Sequence, residues 1–249
     1  MKIVSFNVRC VYDTVDNENN FIYRKDGMIR KIHAEKPDVI GFQEVTPAIA
    51  ADLKAALTDY TFVYHGRDAQ YGGEGLALAL CNETVSLWTI DCFWLSETPY
   101  VAGSRYAEQS DCPRISQTAV LRYRDGTMLR VSNNHLDHVG EAARVLGIRQ
   151  VLAYLVAEQE KRRLPTYILG DFNAVPDSET VQLCKTFAPL PLLDMSEQSG
   201  GTFHDFGRRT PVKIDYIFTT ETAPYTFEKW TDCENGVYLS DHYPICVEI

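Results

Sequence analysis

The feature that most limits what this chain can fold into is its rhythm. Short apolar runs of strand length alternate with amphipathic stretches at helical spacing, and no Gly/Ser-rich or Pro-rich linker interrupts them. Such alternation points to an α/β fold in one domain spanning residues 1–249. The runs predict strands over 2–8, 38–43, 61–64, 76–80, 116–123, 128–134, 166–169, 214–219 and 243–249. Helices are predicted over 24–35, where Met28, Ile29 and Ile32 share a face, and over 47–57, 141–159 and 178–187. Thr46 is suited to cap the second of these, with Pro47 at its first position.

A second regularity lies on top of the first. The apolar runs end in side chains able to bind a hard cation: Asn7, then Gln43-Glu44, then Asn133 and His135, then Asp171 and Asn173, with Asp215 and the Asp241-His242 pair further on. Carboxylates and amides at the ends of buried strands are costly unless paired or metal-bound. Oxygen donors without cysteine select Mg²⁺, Mn²⁺ or Ca²⁺ over zinc. Each residue also has an ordinary reading. Asn7 suits a loop cap, Glu44 the positive end of the following helix, and the Asp171–Asn173 stretch an Asx turn. Val39-Ile40-Gly41-Phe42-Gln43-Glu44 and Ile168-Leu169-Gly170-Asp171-Phe172-Asn173 echo each other, as if two half-domains each sent a strand end to one site.

Charge and cysteine usage narrow the partners. The formal net charge is −10 and the cluster Lys161-Arg162-Arg163 is too small to read as a nucleic-acid track, which argues against a protein that grips duplex nucleic acid through a basic face. The seven cysteines are scattered, with no CxxC pair, so neither a disulfide framework nor a zinc knuckle is suggested. No apolar run reaches the roughly 18–20 residues of a bilayer span, and the first residues carry no signal-like apolar core. The expectation is a cytoplasmic protein with no membrane association and no obligate protein partner.

The segments Ser5-Phe6-Asn7-Val8, Gly41-Phe42-Gln43-Glu44, Asn133-Asn134-His135-Leu136, Gly170-Asp171-Phe172-Asn173, Ile214-Asp215-Tyr216-Ile217-Phe218 and Ser240-Asp241-His242-Tyr243-Pro244 together resemble the endonuclease/exonuclease/phosphatase superfamily. That superfamily includes pancreatic deoxyribonuclease, abasic-site endonucleases, neutral sphingomyelinases, inositol-polyphosphate 5-phosphatases and deadenylases. The resemblance runs the length of the chain with the motifs in the family's order. The segment Phe93-Trp94-Leu95-Ser96-Glu97-Thr98-Pro99 is similar to a smaller bacterial branch of it.

The resemblance implies a four-layered α-β-β-α sandwich with two mixed sheets packed face to face and the site at one end of them. It implies a Mg²⁺-dependent phosphoesterase, with Mn²⁺ a possible substitute. Glu44 would be the principal metal ligand, with Asn7 beside it and Asp241 as a ligand or a nearby acceptor. Asp171 and Asn173 would position and deprotonate the attacking water. His242, oriented by Asp215, would contact the scissile phosphate, and His135 would donate to a phosphate oxygen. Both Asp171 and the His242–Asp215 pair remain open as the general base. Arg9, Arg114, His138 and His204 are candidate substrate contacts, with Glu74 and Asp137 as further candidates. Arg9 stands where abasic-site enzymes carry an acid, which weakens a DNA-repair reading. The substrate is therefore expected to be a phosphorylated small molecule or, alternatively, a nucleic acid cut by the same site. A non-catalytic module of the same fold is opposed by the completeness of the set. A calcineurin-type dinuclear phosphatase is opposed by the lack of Asp-x-His and Gly-Asn-His-Glu segments.

Overall fold

The structure, a computed structural model, describes residues 1–11 and 13–249. In chain order its elements are β1 (Lys2–Asn7), α1 (Asp13–Asp16), α2 (Phe21–Glu35), β2 (Val39–Val45), α3 (Pro47–Ala56), β3 (Tyr60–Gly66), β4 (Gly75–Cys81) and β5 (Val85–Trp94). There follow β6 (Ile115–Tyr123), β7 (Met128–His135), α4 (Glu141–Lys161), β8 (Thr166–Asp171), α5 (Glu179–Thr186) and β9 (Leu193–Asp194). The last are β10 (Asp215–Thr219), β11 (Thr226–Lys229), β12 (Cys233–Glu234), β13 (Val237–Tyr238) and β14 (Ile245–Glu248).

Two six-stranded sheets form the centre, ordered β11-β14-β1-β2-β4-β3 and β5-β6-β7-β8-β10-β9. Each is mixed. β1 and β2 run parallel, with α2 in the crossover, and β7 and β8 run parallel, with α4 in theirs; their other pairings are antiparallel. The two echoing segments are thus the second strands of the two parallel pairs. Ile3, Val39, Leu78, Val131, Leu169 and Ile217 fill the space between the sheets. Phe6, Ile40 and Phe42 pack outward against Met28 and Ile32 of α2 and Ile49 and Leu53 of α3. Ile168, Phe172 and Phe218 pack outward against Ile148, Leu152 and Leu155 of α4 and Val181 of α5. The architecture is therefore an α-β-β-α sandwich.

What positions the site is a change of character along the inward faces. Side chains alternate along a strand, so Ile3, Ser5 and Asn7 of β1 point the same way, as do Val39, Gly41 and Gln43 of β2. Leu129, Val131, Asn133 and His135 do so on β7, and Tyr167, Leu169 and Asp171 on β8. Each series starts apolar and ends polar, and nearly all of its members are buried. The sandwich is oily at one end and carries amides, carboxylates and imidazoles at the other.

A polar bridge closes the oily part. Asn133 donates from Nδ2 to the carbonyls of Phe42 (3.0 Å) and Ala77 (3.1 Å), and its Oδ1 accepts from Gln43 Nε2 (2.8 Å). Gly41 lets the sheets approach there, because a Cβ at this position would overlap the Leu169 side chain.

The boundaries differ from the sequence expectation where side-chain hydrogen bonds decide them. α2 begins at Phe21, three residues before the expected start, because Asn20 caps it by accepting from Ile22 N. Thr46 caps α3 as expected, accepting from Ile49 N at 3.3 Å, with Pro47 in the first turn. No strand was expected between 80 and 116, yet β5 runs ten residues there. It is an edge strand with a register shift between Leu87 and Thr89. Half-exposed and bulged, it has no clean alternation to read. No helix among the described residues is long and apolar enough to cross a membrane.

Candidate active site

The polar ends of β1, β2, β7 and β8 meet at one mouth of the sandwich. Asn7, at the end of β1, donates from Nδ2 both to Glu44 Oε1 (3.0 Å) and to Asp171 Oδ2 (2.9 Å). One amide therefore ties an acid of the first sheet to an acid of the second. Glu44 has a left-handed backbone (φ 60°) inside β2, where the register slips between Phe42 and Val45. That bulge re-aims its side chain. Its second oxygen accepts from Cys10 N at 3.1 Å, so the carboxylate faces the β1 end and leaves the start of α3 to Thr46.

On the other sheet, Asp171 Oδ1 accepts from Asn173 N (2.8 Å), and Asn173, also left-handed at φ 49°, donates from Nδ2 to Leu136 O (3.1 Å). The Asx turn is present and serves the cluster. Gly170 precedes it with φ 142°, and a Cβ there would run into the Asn134 carbonyl. His135 Nε2 lies 3.5 Å from Asp171 Oδ2. His242 pairs through Nδ1 with Asp215 Oδ2 at 2.9 Å, and its Nε2 lies 3.8 Å from Asp171 Oδ2.

Asp241 sits on the far side, its Oδ2 3.7 Å from Arg9 Nε; Arg9 also pairs with Asp16 at 3.2 Å. Beneath these loops lies Arg24, 1% exposed, donating to the carbonyls of Val8 (2.9 Å), Arg9 (3.0 Å) and Leu239 (2.8 Å). It links the segment after Asn7 to the segment before Asp241.

Burial and charge set the protonation of the group. Burial alone would lower His242, but Asp215 and Asp171 outweigh it and hold the imidazole well above its ordinary value, as a cation. His135 is driven well below its ordinary value by burial and then by Arg114 and Arg67, so it is neutral. Burial pushes Asp171 up from 3.8 to about 7 despite the attraction of His242, with Asp215 and Glu44 adding repulsion. Burial also raises Glu44, yet the Asn7 hydrogen bond, His242, Cys10 N and Arg9 more than offset it and leave Glu44 lowered. Asp241 is raised, chiefly by burial.

These residues, His135 among them, open onto a cleft of about 360 Å³ that Arg67, Cys112, Arg114 and His138 also line. Glu44, His135 and Asp171 offer ligand atoms within 4.8 Å of one another, and so do Asp171, Asp215 and His242. The first set fits a hard divalent cation, since two carboxylates supply oxygen at one point, while Asn7 presents its Nδ2 to both and its Oδ1 accepts from Arg9 N at 2.9 Å. Asp241 belongs to neither set.

Of the expected substrate contacts, Arg9, Arg114 and His138 line the cleft, as does Glu74. His204 does not. It is 1% exposed, stacked on Tyr243 (3.8 Å between centroids), and accepts from Gly207 N at 2.9 Å. Asp137 accepts from Val139 N and Gly140 N and from Ser110, which makes it the organiser of the loop that carries His138. Arg67, Cys112 and Phe203, which no motif includes, also line the cleft, as does Ile214 of the Asp215 motif. Nothing local marks Arg67, Cys112 or Phe203, because they come from connecting segments. Sequence reasoning read position 24 only as a helix start, whereas Arg24 is the buried strut.

Solved structures share this architecture along their whole length. An endonuclease/exonuclease/phosphatase protein from Bacteroides vulgatus superposes with a TM-score of 0.91 at 28% identity, covering 100% of this chain and 98% of that one. A conserved protein of unknown function from Enterococcus faecalis V583 gives 0.86 at 29% identity, with 100% and 98% covered. The mannosyl-6-phosphatase Bt3783 of Bacteroides thetaiotaomicron VPI-5482 gives 0.87 at 25% identity, again with 100% and 98% covered. No curated protein matches the chain significantly. The sequence model of the family matches residues 4–242, from within β1 to the His242 that pairs with Asp215, and the chain belongs to the Endonuclease/Exonuclease/phosphatase family.

Proposed function

We propose that this protein is a metal-dependent phosphoester hydrolase acting on a small phosphorylated molecule, by in-line attack of a water held in the cleft. The observation that carries the reading is the meeting of Asn7, Glu44, Asp171 and His242 through contacts of 2.9–3.8 Å between two sheets. Members of the family are generally hydrolases acting on phosphoester bonds, and one similar structure is named a mannosyl-6-phosphatase.

Glu44 would hold the cation, Mg²⁺ or Mn²⁺, with Asn7 orienting its carboxylate through Nδ2 and Asp241 as neighbouring negative charge balanced by Arg9. When bound, that cation relieves the charge that builds on the phosphoryl oxygens. Asp171 has its two oxygens fixed by Asn173 N and Asn7 Nδ2, and in the metal-free protein burial raises its carboxyl to about 7, a direction that suits a general base near neutral pH. His242, cationic and anchored by Asp215, offers Nε2–H to a phosphoryl oxygen, so it serves as an electrostatic donor and Asp171 takes the water's proton. Neutral His135 adds a second donor. Pre-set donors of this kind are the main source of rate in reactions that develop oxyanion charge.

A net charge of −10 and a cleft of about 360 Å³ favour a small substrate over duplex nucleic acid. Release of p-nitrophenol from p-nitrophenyl phosphate and its bis ester, with Mg²⁺, Mn²⁺ or EDTA, tests the activity. Absence of metal-dependent turnover there and on a wider phosphoester panel would end the proposal. A gel assay against single- and double-stranded DNA and RNA separates the nuclease alternative.

A further inference from the structure

Three residues of the cleft lining, Arg67, Arg114 and His138, are not used by the chemistry above. Arg114 is 4% exposed and lines the cleft. Its Nη2 donates to His138 Nδ1 at 3.1 Å, while its Nε and Nη1 have no hydrogen-bond partner. Among the described residues no ion pair within 4.0 Å involves Arg114; its Nη2 contact is to His138, whose Nδ1 lies 4.0 Å from Asp137 Oδ1. Arg67 stands on the same wall, paired with Glu74 at 2.9 Å. Accepting from Arg114 leaves His138 Nδ1 unprotonated, so its remaining ring proton is on Nε2 and can be donated. A desolvated guanidinium with no carboxylate in direct contact is expensive, and a second arginine beside it compounds the cost.

The fold spends several contacts on keeping these groups in place. Trp94 Nε1 donates to the Arg67 carbonyl, and Leu95 N donates to the Arg114 carbonyl at 2.8 Å. Trp94 O in turn accepts from Gln150 of α4 at 3.0 Å. Both arginines are therefore hung from the Phe93–Pro99 segment, the stretch whose likeness to a smaller bacterial branch had no role in the hydrolytic centre. Asp137, through Val139 N, Gly140 N and Ser110, fixes the turn bearing His138.

We infer that Arg114, Arg67 and His138 form an anion subsite that receives a second negatively charged group of the substrate, a phosphate or a carboxylate, while its ester phosphate lies at Glu44, Asp171 and His242. The inference rests on the proposed hydrolase reading for the word substrate, but the subsite can be tested without turnover. Preferred substrates then carry two anionic groups a few bonds apart.

The test is a titration of the metal-free protein, in EDTA, with inorganic phosphate and separately with acetate, followed by NMR at the arginine Nε–H and histidine ring resonances. Without metal the hydrolytic centre is rich in carboxylates and repels anions, so saturable phosphate binding should appear at Arg114 and His138. Arg114→Gln should weaken it roughly 10- to 100-fold, the scale of a lost charge-assisted hydrogen bond. His138→Ala, at a half-exposed position that threatens folding less, should weaken it severalfold. Glu44→Gln should leave it as tight or tighter. Acetate binding at the same resonances would extend the subsite to carboxylates, and phosphate binding alone would restrict it to phosphate. No saturable phosphate binding in wild type, or equal affinity in folded Arg114→Gln and His138→Ala, would overturn the inference. Failure of metal-dependent turnover with the phosphate site intact would instead strike the hydrolase reading.

Discussion

Asp171→Asn separates what this carboxylate does for chemistry from what it costs the fold. In metal-free protein burial holds the Asp171 carboxyl at about 7 against an ordinary 3.8. A carboxyl whose pKa is higher folded than unfolded binds extra protons in the native state. Its contribution to stability is full below the unfolded value and is lost as pH rises towards the folded one, here between about 4 and 7. Three units at about 1.36 kcal/mol each set a ceiling near 4 kcal/mol on the strain of carrying this charge. Asparagine removes the charge and keeps the volume. It must, however, turn its NH₂ towards either Asn7 Nδ2 or Asn173 N, which now donate at 2.9 and 2.8 Å, a cost of about 1–3 kcal/mol. The variant should therefore be more stable than wild type by roughly 1–3 kcal/mol near pH 8 in EDTA, with the gain vanishing or reversing near pH 4. Urea denaturation across that range, fitted with a common slope, measures it. The same variant should lose metal-dependent turnover. A variant less stable than wild type at every pH, by a constant amount, would refute the reasoning, since the charge would then carry no penalty to remove.

Asp215→Asn breaks the 2.9 Å pair that holds His242 cationic. Turnover should fall by about 10²–10⁴, and the alkaline limb of the pH–rate profile at saturating Mg²⁺ should move to lower pH; an unmoved limb would remove His242 as a cationic donor. Arg24→Met leaves the carbonyls of Val8, Arg9 and Leu239 without their buried donor. It should cost about 3–5 kcal/mol and lower Tm by roughly 10 °C, which calorimetry reads directly. His204, held at about 4 chiefly by burial, is neutral in the fold. Its share of stability is full above about 6.5 and is lost as pH falls towards 4, so His204→Phe should flatten the acid limb of the stability curve in that window. Equal acid limbs for variant and wild type would count against it.

Much of this protein was legible in one dimension. The period of the apolar runs set strands and helices, because burial of one face imposes 2.0- and 3.6-residue repeats on any chain. Thr46-Pro47 marked the start of α3, because a cap is a local hydrogen bond. The polar residues closing those runs marked the site, because a carboxylate at the end of a buried strand is unstable without company, and the six motifs in order carried the family. What the sequence did not carry is decided by groups far apart along it. Asn7 reaches Glu44 and Asp171, 37 and 164 positions away, and only the sheet-on-sheet packing permits both. The bulge at Glu44 aims its carboxylate at the β1 end and away from α3. Arg24 looks like a helix-surface residue until the loops after Asn7 and before Asp241 close over it. His204 and Arg114 looked alike as candidates, yet one is stacked behind the wall and the other lines the cleft with its Nε and Nη1 unpartnered. Local preference is written in neighbours along the chain, whereas charge, solvent exclusion and reach depend on neighbours in space, and those exist only once the two sheets have met.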